Sequence, residues 1–260
     1  MSFRLKAFLL HLGSSALVLS VMLGTLYFGW YRWPGWYVTG VKTVMAILIG
    51  VDLTLGPLIT LLIANPNKPR RELVRDVGVV VMVQLIALVY GASALWIGRP
   101  LYYVFWVNGF KVVAASELPA KERLLAWQEN PEFAPHWYST PRWAWAPRPA
   151  HLDATAPEGT ARAGGSTPEN EIRVLSRVVP MPRSFKPLSQ AGGELRSHLR
   201  RVDQISIFSL EERRVLKERL AQSGFKSDAP DATFVIGFGR PLLAVFDPTT
   251  LTLEALIPAT

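Results

Sequence analysis

Three apolar runs fill most of the first hundred positions, at about residues 7–31, 41–64 and 77–97, and the stretches between them are short and polar. Each run reaches the roughly 20 residues that a helix rising about 1.5 Å per residue needs to cross about 30 Å of hydrocarbon. The pattern predicts three membrane spans within residues 1–98. Arg4 and Lys6 precede the first run as they would in a secretory signal. The run outlasts a signal's apolar core, however, and ends in Trp30-Tyr31-Arg32-Trp33-Pro34 rather than in small residues. It reads as an uncleaved first span.

From residue 99 onward the apolar positions recur at shorter intervals, and the remaining chain is long enough for one small domain that folds in water. Two β-rich runs, Leu101-Tyr102-Tyr103-Val104-Phe105-Trp106-Val107 and Phe110-Lys111-Val112-Val113-Ala114, flank Asn108-Gly109 and predict a β-hairpin turning on that dipeptide. A helix is expected at about 119–128, with Pro119 at its first position and Asn130-Pro131 beyond its end. A second is expected at about 189–202, with Leu195, Leu199 and Val202 on one side. Ser209-Leu210-Glu211-Glu212 is a capping box opening a third helix, which carries Val215, Leu216 and Leu220 and stops at Gly224. Residues 233–238, 242–247 and 251–257 read as strands joined by turns at Gly239-Arg240-Pro241 and Asp247-Pro248-Thr249-Thr250. The expected fold class is a membrane α domain plus a soluble α+β domain. A three-helix transmembrane bundle (1–98) precedes a small α+β domain (99–260) with a β-hairpin and a C-terminal antiparallel meander. Residues 131–170 are aromatic and proline-punctuated at first and Ala/Gly/Thr/Pro-rich over 153–167, and are expected to form a flexible insert.

Composition agrees with that division. Half of the 260 residues are apolar and the mean hydropathy is +0.21, too high for an ordinary soluble domain, and the excess lies in the three runs. Arg4 and Lys6 flank the first run, and Lys68, Arg70, Arg71 and Arg75 lie between the second and third. Between the first and second there are only Arg32 and Lys42. Counting positive charge over short loops places the N-terminus and the 65–76 loop in the cytoplasm, and three crossings then place residues 99–260 outside. Trp30, Tyr31, Trp33, Trp36 and Tyr37 would form an aromatic belt at the outer interface. A net charge of +8 could serve nucleic acid, but much of it lies in the cytoplasmic loop, where anionic membrane lipid is the simpler partner. The rest is mixed with Glu along helices, and no nucleic acid partner is expected. The chain has no cysteine, which removes disulfides and thiol chemistry.

One carboxylate interrupts the second run. Asp52, in Ile49-Gly50-Val51-Asp52-Leu53-Thr54-Leu55-Gly56-Pro57-Leu58, would lie deep in the bilayer. An ionisable group there costs roughly 2.5–3.5 kcal/mol on insertion scales and is usually turned inward toward a partner. Pro57 lacks an N–H and crowds the carbonyl four residues back, which predicts a kink beside Asp52, with Gly50 and Gly56 opening space on either side. Gln84 in the third span, and His11, Ser14 and Ser15 in the first, are candidate internal partners, Gln84 the best matched in depth. Two readings stay open: Asp52 bonds within its own bundle, or it holds a polar group of a foreign helix.

Small residues recur at helical spacing in the first span (Ala16, Ser20, Gly24) and in the third (Ala87, Gly91, Ala94), either packing the spans together or facing another helix. Trp137, Trp143 and Trp145 either settle on the membrane or the domain surface or offer rigid contacts to a partner. Catalytic signatures are missing. His11, His136, His151 and His198 are scattered, Gly237-Phe238-Gly239 precedes a proline where a phosphate loop would need a helix, and Glu169-Asn170-Glu171 lies in low-complexity sequence. No catalytic residue, metal site or cofactor is expected.

The run Gly50-Val51-Asp52-Leu53-Thr54-Leu55-Gly56-Pro57-Leu58, followed by Asn65-Pro66-Asn67-Lys68, resembles the signature of the type IV pilin accessory proteins (the TfpX/TfpZ-like family). Lys6-Ala7-Phe8, His11-Leu12, Tyr90-Gly91, Arg99-Pro100, Tyr103-Val104-Phe105 and Asn108-Gly109-Phe110 add to the likeness, which is good over about the first 115 residues and loose afterwards. It implies a non-enzymatic, chaperone-like accessory protein of a Gram-negative inner membrane, paired with a particular major type IV pilin and needed for pilus assembly and twitching motility. The pilin would be met through its transmembrane helix and its globular head, with Asp52, Gly50, Gly56, Pro57, Gln84, Trp137, Trp143 and Trp145 as candidate contact residues. The competing classes are a small transporter or channel subunit, which would need a polar pathway, and a membrane-bound pilin-modifying enzyme, which would need an acidic or histidine cluster.

Overall fold

The computed structural model describes residues 2–107, 109–147, 179–225, 231–237 and 240–259. The expectations for Asn108, His151, 153–167, 169–171 and 238–239 lie outside the described residues. The chain divides into two compact units, Met1–Arg99 and Pro100–Thr260.

In the first unit, helix α1 (Phe3–Leu26) is capped by the Ser2 hydroxyl and runs on into a π turn at Tyr27–Tyr31. After the short α2 (Gly35–Val38), the second span is built in three pieces: α3 (Lys42–Gly50), a π turn (Val51–Leu55) and α4 (Gly56–Ile63). Helix α5 (Arg70–Ile97) is the third. Taken as Phe3–Tyr31, Lys42–Ile63 and Arg70–Ile97, all three are long and apolar enough to cross a membrane. Leu10, Leu17, Phe28, Leu62 and Val89 are exposed on their outer faces. Such apolar faces would be a liability in water and are ordinary when lipid is the solvent.

The second span is central: α1 packs along α4, α4 against α5, and α1 and α5 scarcely touch. Gly91 allows the closest approach of α5, since a Cβ there would stand 2.3 Å from Leu48 Cδ2. The stripe in the first span is different, for Ser20 is exposed and nothing lies within 4 Å of a Cβ placed on Gly24. At their C-terminal ends α1 and α5 are pinned together. Trp30 meets Trp96 edge to face at 4.9 Å, Arg99 lies over the Trp96 ring at 3.9 Å, and the Tyr31 hydroxyl donates to the Leu95 carbonyl at 2.7 Å. Arg99 therefore closes the membrane unit rather than opening the soluble one.

The second unit is an α+β domain around a seven-stranded sheet, in the order β4 (Lys186–Pro187), β3 (Arg142–Ala146), β1 (Pro100–Trp106), β2 (Gly109–Ala114), β5 (Asp231–Ile236), β6 (Leu242–Phe246), β7 (Leu253–Pro258). Strands β1 and β2 form the hairpin, and β5, β6 and β7 form the antiparallel meander. A short parallel pairing of β2 with β5 merges the two into one sheet. Strand β1 is buried along its whole length. On one face Tyr103 and Phe105 join Phe110, Trp143 and Phe246, with Phe110 stacked on Phe246 at 5.7 Å. On the other, Tyr102 packs on Phe185 and donates to the Phe133 carbonyl at 2.5 Å. Burial pushes the phenols of Tyr102 and Tyr103 well above their usual range. Helix α6 (Ala120–Glu129) ends at Asn130, whose amide donates to the carbonyls of Pro182 and Phe185. Helices α7 (Gly192–His198) and α8 (Leu210–Gln222) follow, and Leu216 and Leu220 of α8 pack with Phe208, Phe234, Leu243 and Val245.

Four sequence expectations need correction. Gly109 does not sit in the hairpin turn: it pairs with Trp106 as the first residue of β2, and Val107 takes φ 63°. Gly109 is required instead by packing, because a Cβ there would stand 2.5 Å from the Phe234 ring. The expected helix at 189–202 is helical only from Gly192 to His198; Leu199 turns extended at ψ 135° and Arg200 bridges to Ala232 of β5. Leu195, Leu199 and Val202 are nonetheless all buried. Pro119 is the cap before α6 rather than its first residue. Finally, Arg142–Ala146, placed in the flexible insert, is strand β3, parallel to β1 and itself flanked by the two-residue β4 (Lys186–Pro187). A Pro-bounded Arg-Trp-Ala-Trp-Ala run shows too few residues to declare a strand, and it is the long-range pairing with β1 that makes it one.

The Gly109 contact yields a test. Gly109→Ala would overpack the β2–β5 junction against Phe234, with an expected loss of about 1–3 kcal/mol. That loss should be read as a lower Tm of the purified protein, and Gly193→Ala, where nothing lies within 4 Å, is the control.

Candidate functional site

Leu48, Asp52, Gly56 and Thr60 follow one another at four-residue spacing along the second span, and all four are buried. This is the face turned toward the other spans. The irregularity expected of Pro57 takes the form of the π turn at Val51–Leu55. In that wider register a carbonyl pairs with the N–H five residues on, and for Asp52 that residue is Pro57, which has none. The Asp52 carbonyl is met from outside its helix: Gln84 Nε2 of α5 donates to it at 3.2 Å. Gly56 makes this possible, since a Cβ there would stand 2.0 Å from that same Nε2.

The side chain of Asp52 is only 4% exposed, and its Oδ2 has no hydrogen-bond partner among the described residues. The Gln84 Oε1 is likewise buried and unpartnered. Both residues line a cleft of about 230 Å³ between α1 and α5, with His11, Ser14 and Val18 on one wall and Leu85 on the other. The Ser15 hydroxyl also lines the cleft, and two other polar groups there are already engaged. His11 Nδ1 and Thr60 Oγ1 share a hydrogen bond at 2.6 Å, and the Ser14 hydroxyl donates to the His11 carbonyl at 2.9 Å. His11 is thus fixed to α4 rather than to the carboxylate.

Gln84 comes to Asp52 as expected from depth, donating to its backbone carbonyl and lying beside its carboxylate, whose Oδ2 it does not reach. Pro57 is buried beside it, whereas Gly50 is exposed, with nothing within 4 Å of where a Cβ would stand, and takes no part in the cleft. Thr60 escaped the sequence reading, although its place two turns after Asp52 on the face of Gly56 is a signal that could have found it. In the second unit the three tryptophans separate. Trp143 packs on Tyr103 and Phe110 in the sheet, and Trp145 donates to Glu194 Oε2 at 3.1 Å. Trp137 is 72% exposed and stands against Tyr138, which stacks on His136, itself edge-on to Trp127. Among the described residues no three His, Cys, Asp or Glu side chains gather where a metal ion could be held.

The fold and the cleft define a class: a three-helix membrane unit with one buried acid, carrying a sheet-based α+β domain. Proteins named as fimbrial assembly proteins are similar to it in sequence. The chain is 25% identical over 185 residues to the fimbrial assembly protein of serogroup I of Dichelobacter nodosus, covering 70% of this chain and 71% of that protein. It is 24% identical over 189 residues to the serogroup E1 protein, covering 72% and 73%, and 27% identical over 109 residues to that of serogroups C1 and C2, covering 42% and 83%. No protein-family model matches the chain, and no solved structure matches it. The chain resembles the type IV pilin accessory proteins, and these fimbrial assembly relatives stand with that resemblance.

The Gln84 bridge can be weighed directly. Gln84→Ala should cost about 0.6–1.7 kcal/mol, the range for interhelical hydrogen bonds in membranes, read as a lower Tm in detergent. Gly56→Ala should lower Tm as well by displacing the amide. The double variant should fall short of the sum, because the clash disappears with the side chain.

Proposed function

We propose that this protein is a non-enzymatic, chaperone-like accessory factor of a bacterial inner membrane that acts on a major type IV pilin and supports pilus assembly and twitching motility. Its N-terminus lies in the cytoplasm and its α+β domain in the periplasm. The names of its relatives support the assembly role, and the charge of its short loops supports the orientation.

One observation carries the reading at the level of mechanism: a buried carboxylate oxygen without a partner, in a cleft between two spans that scarcely touch. A bundle evolved only for its own stability would close on that oxygen, since an unsatisfied polar group costs about 1–3 kcal/mol. Left open toward lipid, the cleft can receive an incoming helix and release it again. Interhelical hydrogen bonds in membranes are worth about 1 kcal/mol, which suits a client that must leave for the fibre. A second, equally weak contact between the α+β domain and the pilin head would raise occupancy through effective concentration, with neither contact strong alone.

Asp52→Asn should leave the protein inserted at normal abundance while lowering pilin co-purification from membranes by about 3- to 18-fold, the equivalent of one such hydrogen bond. Surface piliation should fall with it. Wild-type co-purification and piliation in Asp52→Leu would remove Asp52 from the mechanism.

A further inference from the structure

The chemistry of the cleft narrows what a client must bring, on the reading that the client is a pilin helix. Two acceptor atoms, Asp52 Oδ2 and Gln84 Oε1, are buried there without donors. A carboxylate and an amide oxygen only accept hydrogen bonds, so a complementary group must donate them. Among the described residues no donor meets either oxygen: one N–H of the Gln84 amide goes to the Asp52 carbonyl, and His11 Nδ1 and the Ser14 hydroxyl are bonded elsewhere. No Lys or Arg stands among the residues lining the cleft. A neutral donor would satisfy the geometry and leave a net negative charge in hydrocarbon. A cation neutralises it and makes the stronger, charge-assisted bond.

Size and surroundings say how that cation arrives. At about 230 Å³ the cleft is smaller than the roughly 300–1,000 Å³ of small-molecule pockets, and it suits one side chain or one chain end. Apart from His11, Ser14 and Ser15, the rest of its lining is apolar (Val18, Leu19, Val81, Leu85 and Leu88), matching a helix that lies in lipid on either side of a single charged group. We infer that the cleft recognises its client by a cationic hydrogen-bond donor, an ammonium or guanidinium carried on the client's membrane helix, which closes on Asp52 Oδ2 and Gln84 Oε1. The client helix then leaves lipid with its charge paired, and a helix without such a group gains nothing from the site.

The test uses the full-length protein in native membranes, with a photo-crosslinking residue at Leu85 and adducts identified as pilin by mass. The wild-type cleft should give a pilin adduct, and Asp52→Glu should retain it. Asp52→Leu should lower the yield by at least about tenfold, as for loss of one partner from a buried charge pair. Asp52→Asn combined with Gln84→Glu returns one negative charge to the same cleft and should recover the yield lost in Asp52→Asn, which a purely structural role for Asp52 would not do. Replacing each Lys or Arg of the captured helix with Met, and separately acetylating its terminal amine, distinguishes a side-chain cation from a chain-terminal one. An adduct that survives Asp52→Leu undiminished, a relocated charge that restores nothing, or a client indifferent to both replacements overturns the cation while leaving pilin docking intact. A wild-type cleft that captures no pilin overturns the docking itself.

Discussion

A peptide carbonyl in hydrocarbon has no water to turn to, and Pro57 removes the N–H that the Asp52 carbonyl would meet in the wider turn around it. Everything at the centre of the membrane unit follows from that missing hydrogen. The carbonyl has to be satisfied from another helix, so Gln84 reaches across from α5. The reach requires a residue without a side chain at the contact, so position 56 is glycine. One N–H of the amide is then committed to the backbone, and Oδ2 of the Asp52 carboxylate is left without a partner among the described residues. A single proline thus converts a residue that could have been a buried pair into a site with an open valence.

The same bundle is held shut elsewhere. At one end of the spans, Trp30, Trp96, Arg99 and Tyr31 tie α1 to α5 by ring contacts and a hydrogen bond to the Leu95 carbonyl. Deeper in, His11 ties α1 to Thr60 of α4. Between these fastenings α1 and α5 stand apart, and the cleft occupies the gap. Held between fixed points, the cleft is preformed: a largely apolar cavity with one buried carboxylate.

In the α+β domain the organising element is β1, which is buried on both faces and paired on both edges. A hairpin and a meander that would each be marginal alone become one sheet because β2 also pairs with β5. The aromatic-rich segment after α6 is drawn in as β3, which places Trp143 and Trp145 in the packing and leaves Trp137 exposed.

Local periodicity by itself determined the three spans, the hairpin strands, the capped helix opening at Ser209 and the closing meander, because each is written in near-neighbour residues at spacings of 2 or 3.6. It also singled out Asp52, since a lone charge in an apolar run stands out by composition alone. What it could not carry were relations across the chain. Gly109 belongs to the strand, where Phe234, more than a hundred positions away, leaves no room for a Cβ. The helix expected through Leu199 gave way because Arg200 found a bridge partner in Ala232. Only the tertiary structure decided that Gln84 would give an N–H to a carbonyl freed by Pro57, and that one carboxylate oxygen would be left over. A hydrogen bond is a contest among all donors and acceptors brought within reach, and which groups come within reach is settled by packing.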